Sequence, residues 1–253
     1  MSLAETHRDE FIKLIEARDE DKCIEYINKY NDFYNAIYYK HSIWDITRRL
    51  NILMYVCECK LSRVAIALID KKCDLTCQDY CGYTALMYAN MFGLYDVVGH
   101  IINNSSDIST RYTDVSQISE MMYLCRDHIN DTNIMKMIDM GYDIYYKNYN
   151  NESLLTEAIF YNSTDIVKKL IDKDVDFIEE FKTYYGSYRV ETSFNDTIIE
   201  HIYDRYNIYK DTIIAIMNDT SPTNMLYLSF HTTYAVQLVD IICDFLISPI
   251  KKS

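Results

Sequence analysis

An apolar pattern that recurs about every 33 residues constrains the fold of this chain more than any other feature of its sequence. The pattern is clearest in GYTALMYA, which spans 82–89 and is followed by Gly93, Val97-Val98, Ile101-Ile102 and Asp107-Ile108. Apolar residues take the position of Leu86 in the neighbouring segments, at intervals of 33, 36 and 33 residues: Leu53, Leu86, Met122 and Leu155. A fixed period of this length predicts a stack of units, each of which is one supersecondary element.

The spacing inside one period predicts two short helices joined by a tight turn. Leu86 and Ala89 are three residues apart, and the apolar pairs within 97–102 are four apart, so each set lies on one helical face. Gly93 falls between the helices, where a turn requires a residue with positive φ. The Thr84 hydroxyl is placed to cap the first helix. One such pair cannot bury its apolar face alone, so neighbouring pairs are predicted to stack.

Three segments of the chain resemble the signature of the ankyrin repeat family, Thr-Pro-Leu-His-x-Ala, in a unit of about 33 residues. They are NILMYV at 51–56, TALMYA at 84–89 and SLLTEA at 153–158. The Pro and His of the signature are absent, and the resemblance covers Asn51 to Phe177. It implies an all-α ankyrin-repeat solenoid, built from stacked helix-turn-helix units with short β-hairpin turns.

The two ends of the chain follow the pattern less closely. Residues 1–43 are predicted to form an N-terminal capping helix pair, and 44–178 the core ankyrin repeats. Residues 179–253 contain an insertion near 179–190. The rest of that segment is either a set of degenerate repeats, with Ile198, His201 and Ile213-Ile214 on the repeat frame, or a separate C-terminal helical module.

Composition and charge favour a helical chain that binds protein. Among 253 residues there are only five Gly and two Pro, fewer than a β-sandwich or a phosphate-binding enzyme needs for its turns. The formal net charge of −13 argues against nucleic acid and against an anionic membrane surface as partners. The same charge would steer a protein partner with a basic surface toward this chain.

The terminal segments and the biased composition suggest where the chain acts. The N-terminal segment is charged and amphipathic, unlike a secretory signal, and the apolar run YAVQLVDIICDFLISPI is interrupted by polar residues. We therefore expect a cytoplasmic protein, with a monomer favoured. The abundance of Tyr, 25 residues, and the weak signature are similar to ankyrin proteins of large DNA viruses, of the giant virus or poxvirus type. That resemblance implies action on a host protein in the host cytoplasm.

Closely spaced cysteines raise the alternatives of a metal site, a redox site and core thiols. Cys73 and Cys77 take positions where ankyrin repeats commonly have Ala, which favours small core residues. Cys81 falls on a turn and is predicted to be exposed. The chain has no HExxH, GxSxG or glycine-rich phosphate loop. We therefore expect no metal, no cofactor and no catalytic residues.

The resemblance implies that a partner binds the concave face, which consists of turn tips and first helices. Carried over by position, the candidate partner-binding residues are Tyr80, Cys81, Tyr83, Met91, Phe92, Asp127, His128, Tyr149, Asn150, Glu152, Phe160 and Tyr161. The apolar pairs 91–92 and 160–161 are either exposed anchors or core residues, and the sequence leaves both possibilities open.

The predicted function is a non-catalytic protein-protein interaction scaffold. One alternative is a substrate adaptor that recruits a ubiquitin ligase through Glu179 to Ser253. The other is an enzyme whose activity resides in the C-terminal helices. Repeat frames encode the scaffold and leave recognition to variable positions.

Overall fold

The computed structural model describes residues 2–41, 47–185, 192–230 and 236–246. These residues are mostly helical, as predicted. The chain divides into two compact units, Met1–Leu154 and Leu155–Ser253. In the part of the chain that the structure describes, no helix has both the length and the apolar character that crossing a bilayer requires.

The first unit contains eight helices within its described residues. They are α1 (Leu3–Glu16), α2 (Glu20–Lys29), α3 (Ile52–Glu58), α4 (Ser62–Asp70), α5 (Ala85–Met91), α6 (Tyr95–Asn104), α7 (Glu120–Leu124) and α8 (Asp131–Met140). A 3₁₀ turn, His128–Asn130, precedes α8. Consecutive helices pack in pairs, and each pair contacts the next: α3 lies against α5, α5 against α7, α4 against α6, and α6 against α8.

Side-chain caps fix where the first helix of each pair begins. The side chain of each cap accepts a hydrogen bond from the amide three residues later: Asn51 from Met54, Thr84 from Met87, and Ser119 from Met122. The predicted cap at Thr84 is therefore confirmed. These caps also place Met121, rather than Met122, at the position of Leu86. The expected interval of 36 residues was one too long, because both methionines are buried and the apolar pattern alone does not distinguish them.

Three turns that precede first helices are each closed by a single β-bridge. We call them turn 1 (Gln78–Thr84), turn 2 (Tyr112–Ser119) and turn 3 (Lys147–Ser153). In turn 1, the Asp79 amide donates to the Tyr83 carbonyl oxygen, and Asp79 Oδ1 accepts from two backbone amides. Asn148 makes the same set of hydrogen bonds in turn 3.

Before α3, the place of such a turn is taken by a longer antiparallel strand pair, β1 (Ile37–His41) and β2 (Thr47–Asn51). Ile37 lies opposite Asn51, and five residue pairs are in register. These two strands were not predicted from the sequence. Turn 2 also departs from its neighbours, since its Thr113 amide donates to Ile118, one residue farther along than the equivalent acceptor in turn 1.

Positive φ angles mark the links between paired helices. Gly93 has a φ of 74°, which confirms the prediction for this position, and Lys60 has a φ of 59° at the same place in the preceding pair. In turn 1, Gly82 has a φ of 79°. A Cβ on Gly82 would lie 2.4 Å from the Tyr112 carbonyl oxygen, whereas a Cβ on Gly93 would meet no atom within 4 Å. Turn 1 therefore packs backbone against backbone on turn 2.

A buried ionic cluster lies between α5 and α7. Glu120, only 5 % exposed, accepts from the Thr84 hydroxyl at 2.7 Å and from Arg111 Nη1 at 3.2 Å. Arg111 also pairs with Asp107 at 2.9 Å. Burial raises the pKa of the Glu120 carboxyl, while Thr84 and Arg111 lower it. The cluster connects residues from two successive helix pairs.

The second unit contains six helices within its described residues. They are α9, which begins at the boundary (Leu154–Phe160), α10 (Thr164–Lys173), α11 (Asp176–Tyr184), α12 (Thr192–Asn218), α13 (Met225–Phe230) and α14 (Val236–Leu246). Helix α10 packs against α11 and α12, and α12 packs against α13 and α14.

The C-terminal repeat frame is wrong for residues 198–214. It requires a turn between His201 and Ile213, but α12 continues through both as a single helix of 27 residues. The reason is local, because 192–218 contains no Gly or Pro that would favour a break. The predicted insertion at 179–190 begins inside α11, and its residues 186–190 lie outside the described part of the chain.

Candidate functional site

The tips of turns 1 and 3 expose several of the predicted partner-binding residues. Tyr80 is 59 % exposed and Tyr149 is 65 % exposed, and each follows the residue whose side chain organises its turn. Cys81 and Asn150 are exposed beside them. Glu152 is half-buried, because its carboxylate accepts from Asn148 Nδ2 at 2.7 Å. The turns therefore hold two tyrosines at equivalent, solvent-facing positions.

Two further candidates belong to a connected group of aromatic rings on α5 and α7. The Tyr83 ring lies 6.3 Å from the Tyr88 ring and 5.7 Å, edge-on, from the Tyr123 ring. The Phe92 ring stacks on Tyr88 at 6.3 Å. Tyr83 and Phe92 are half-buried, whereas their neighbour Met91 is exposed. Such aromatic groups commonly dominate binding energies at protein interfaces.

Three tyrosines occupy the same place in successive first helices, four residues after the cap. We call them the tyrosine row: Tyr55 on α3, Tyr88 on α5 and Tyr123 on α7. Each ring has a cation within the distance of a cation–π contact. The pairs are Lys40 over Tyr55 at 5.0 Å, Arg48 over Tyr88 at 5.6 Å and Arg126 over Tyr123 at 5.8 Å.

Polar groups surround the middle tyrosine of this row. Arg48 Nη2 donates to the Tyr88 hydroxyl oxygen at 2.6 Å, and that hydroxyl donates to Asp79 Oδ2 at 2.8 Å. Burial raises the pKa of the Tyr88 phenol, so the hydroxyl stays protonated and remains a donor. Arg48 Nη1 and Lys40 Nζ both donate to Glu58 Oε1. These contacts attach β1 and β2 to the first helices.

Asp127 and His128 follow α7, as expected from their sequence position. Asp127 is half-buried and accepts from the Tyr95 hydroxyl at 2.6 Å and from the Ile129 amide at 3.3 Å. The exposed His128 lies 3.8 Å from the Asp131 carboxylate. Both oxygens of Asp127 thus have partners within the chain, and His128 is the more accessible of the two.

Phe160 and Tyr161 lie at the end of α9 in the second unit. Their rings meet edge-on at 5.0 Å, with Phe160 exposed and Tyr161 half-buried. In both predicted apolar pairs, one residue is therefore exposed and the other is partly covered. The pair in the first unit, Met91 and Phe92, shows the same division.

The cysteines occupy three kinds of environment. Cys57, Cys73 and Cys125 are buried, Cys77 is half-buried and Cys81 is exposed. The Cys77 thiol donates to Asp74 Oδ2. Burial raises the pKa of the Cys57 thiol, and raises that of Cys73 to about 12. Within the described ranges, no group of three or more His, Cys, Asp or Glu side chains is arranged to hold a metal ion.

We expect Cys81 to react with a maleimide at pH 8 about tenfold faster than any other cysteine of the folded chain. Its side chain is accessible, whereas Cys73 is both buried and protonated at that pH. Mass spectrometry of the labelled peptides measures the rates, and Cys81→Ser is the control. A fast-reacting thiol that persists in Cys81→Ser would contradict the assignment.

The tyrosine row and the cations that cover it were not predicted from the sequence. The tyrosines carried a detectable signal, since Tyr55, Tyr88 and Tyr123 are separated by 33 and 35 residues. No sequence signal identified Lys40 and Arg48, because their contacts with the tyrosine rings depend on how β1 and β2 pack against α3 and α5.

No protein-family model matches the chain. No curated protein sequence matches it. One solved structure that resembles it is described as the Bd0816 predatory endopeptidase from Bdellovibrio bacteriovorus in complex with immunity protein Bd3460. That likeness covers 65% of this chain and 97% of the other, at 18% sequence identity and a TM-score of 0.38.

Proposed function

We propose that this chain is a non-catalytic, ankyrin-type interaction scaffold that binds a protein partner through its first unit. The supporting observation is the pair of exposed tyrosines, Tyr80 and Tyr149, at equivalent positions of turns 1 and 3. Each turn is fixed by internal hydrogen bonds that do not involve these rings. Exposed aromatic residues on an ordered backbone are suited to recognition, since little conformational entropy is lost when they are covered.

Recurrent local structure supports the ankyrin assignment. Caps recur at Asn51, Thr84 and Ser119, and the helix pairs that follow them pack on one another. The three turns are closed in the same way. Stacked helix pairs joined by hairpin-like turns are the arrangement that the ankyrin resemblance implies, and each pair covers the apolar face of its neighbour.

Local charge supports a partner with a basic surface. From Cys73 to Thr110 the chain contains no Lys or Arg, while it contains four aspartates: Asp74, Asp79, Asp96 and Asp107. A partner rich in Lys or Arg would therefore be attracted to the part of the unit that carries turn 1. Following the viral resemblance, we take this partner to be a host protein and the site of action to be the host cytoplasm.

A second candidate function is that of an adaptor, and one observation favours it. The second unit exposes large apolar side chains on α12, α13 and α14: Ile208, Ile216, Met225, Leu228 and Ile241. These side chains on neighbouring helices are available for a further protein contact. An adaptor would use the first unit for a substrate and the second for a ubiquitin ligase. Enzymatic activity in the C-terminal helices is the remaining alternative.

Affinity capture from cell lysate, followed by quantitative mass spectrometry, tests both functions. We expect the triple variant Tyr80→Ser, Met91→Ser and Tyr149→Ser to capture at least tenfold less of the partner. The reason is that exposed anchors at an interface each contribute about 1–2 kcal/mol to binding. The matched control, Leu3→Ser with Ile108→Ser, removes exposed apolar residues elsewhere in the same unit. Thermal unfolding establishes that all variants are folded.

Unchanged capture by the triple variant would exclude the turn tips as the binding site. If the control variant loses the partner to the same extent, binding reflects general adhesion of exposed apolar groups. The variant Ile208→Ser with Leu228→Ser tests the adaptor in the same experiment. Loss of cullin-type ligase subunits, with the first partner retained, would favour the adaptor over the simple scaffold.

A further inference from the structure

Each tyrosine of the row contacts a cation, and the stacking of helix pairs does not require these contacts. First helices need apolar residues on the side that faces the next pair, but Tyr55, Tyr88 and Tyr123 each add a ring face against which a cation rests. The three cations come from different elements, since Lys40 lies on β1, Arg48 on β2 and Arg126 just after α7. The shared feature is therefore the tyrosine position and its affinity for a positive charge.

The surroundings of Tyr88 make a complete recognition site for a guanidinium group. Arg48 contacts an aromatic face, the phenol oxygen at 2.6 Å and the Glu58 carboxylate at 3.1 Å. The Asp79 carboxylate accepts a hydrogen bond from the same phenol at 2.8 Å. A planar guanidinium uses such a combination of stacking and forked donation more fully than an ammonium group does.

Arg48 covers the Tyr88 ring, which is only 2% exposed, and is itself accessible from solvent. Its side chain remains 36% exposed while it pairs with Glu58. Partly exposed ion pairs contribute little to stability, because water solvates the separated charges almost as well. An arginine from another protein would restore the same contacts, so its exchange with Arg48 leaves the site satisfied.

We propose that the tyrosine row binds arginine side chains of a partner segment, and that Arg48 is an intramolecular competitor for the position on Tyr88. This inference rests on the proposed function and specifies its partner as an arginine-bearing segment. The carboxylates of Glu58 and Asp79 beside Tyr88 favour such a segment over an acidic one. While Arg48 occupies the position on Tyr88, an arginine of the partner cannot bind there. The apparent affinity for the partner is therefore reduced in proportion to the fraction of molecules in which this position is free.

Calorimetric titration of the full chain with an octa-arginine peptide at physiological salt tests the proposal. We expect Arg48→Met to bind the peptide about fivefold more tightly than the unchanged chain, because the competitor is removed. Arg63→Met is the matched control, since it makes the same change in net charge at an exposed arginine that pairs with Asp21. We expect it to alter the affinity less than twofold.

Two further measurements separate ring recognition from general charge attraction. Tyr88→Leu in the Arg48→Met background, which removes the vacated ring, is expected to reverse the gain in affinity, and octa-lysine is expected to bind more weakly than octa-arginine. Equal effects of Arg48→Met and Arg63→Met would overturn the proposal, as would unchanged binding in the Tyr88→Leu variant. Because this titration uses a defined peptide, its result is independent of whether the turn-tip variants lose their partner.

Discussion

Replacing Arg111 with Met is expected to lower the free energy of unfolding by about 3–5 kcal/mol at neutral pH. The substitution leaves the Glu120 carboxylate buried with the Thr84 hydroxyl as its remaining partner in the cluster. Removing one member of a buried pair is costly because the other charge stays desolvated and uncompensated. Urea unfolding at constant slope measures the difference.

The loss should depend on pH in a defined direction. Burial holds the pKa of Glu120 above its unfolded value, and Arg111 opposes that shift. In Arg111→Met the folded-state pKa rises further, so the unfolded chain ionises at a lower pH than the folded chain. The folded state is then favoured below the unfolded pKa and loses stability as pH rises toward the folded pKa. The variant should therefore be closer to the unchanged chain at pH 5 than at pH 8.

Two controls distinguish a buried pair from loss of an ordinary arginine. Arg63→Met removes the exposed pair with Asp21 and is expected to cost less than about 1 kcal/mol. The double variant Arg111→Met with Glu120→Leu should recover most of the loss, because an apolar pair of similar volume needs no solvation. A cost for Arg111→Met no larger than that for Arg63→Met would refute the role assigned to the cluster.

The helical framework was predictable because its signals are local. The apolar spacing after Leu86 and the turn at Gly93 require only near neighbours in sequence, and both predictions hold. The register of the next pair was missed by one residue. Turn 2 contains one more residue than turns 1 and 3. Because Met121 and Met122 are adjacent and both buried, the apolar pattern did not show which of them takes the position of Leu86.

The two alternatives left open for the C-terminal segment have a similar cause. A long helix and two short helices share the same 3.6-residue periodicity, so apolar residues such as Ile198 and Ile213 fit either arrangement. Only a break between them distinguishes the two, and α12 contains none. The absence of Gly and Pro from 192–218 was the available signal, and it should have outweighed the apolar match.

The candidate site was predictable in part, for a different reason. Tyr80 and Tyr149 were identified because turn tips follow directly from the repeat frame. The contact of Arg48 with Tyr88 joins residues 40 apart in sequence and requires the strand pair to be in place first. Periodicity could have found the tyrosine row, but only packing brings cations to its rings.

Replacing Gly82 with Ala is expected to destabilise the chain by about 3 kcal/mol or more, from two causes that add. An L-residue at a φ of 79° costs about 1 kcal/mol or more. The new Cβ would also lie 2.4 Å from the Tyr112 carbonyl oxygen and 2.8 Å from the Asp114 amide nitrogen. Both are backbone atoms, so the clash cannot be relieved by a rotamer change and turns 1 and 2 must separate.

Gly93→Ala isolates the first cause from the second. Gly93 has nearly the same φ, 74°, but a Cβ there meets no atom within 4 Å, and Lys60 already occupies the equivalent position with a side chain. We expect a loss of about 1 kcal/mol for this variant by urea unfolding. The difference between the two variants then measures how tightly turn 1 packs on turn 2, and the hydrogen bond from the Asp114 amide to the Cys81 carbonyl should be lost only in Gly82→Ala. Equal losses for the two glycines would mean that the turns separate at no cost, which is incompatible with a rigid row of tips carrying Tyr80.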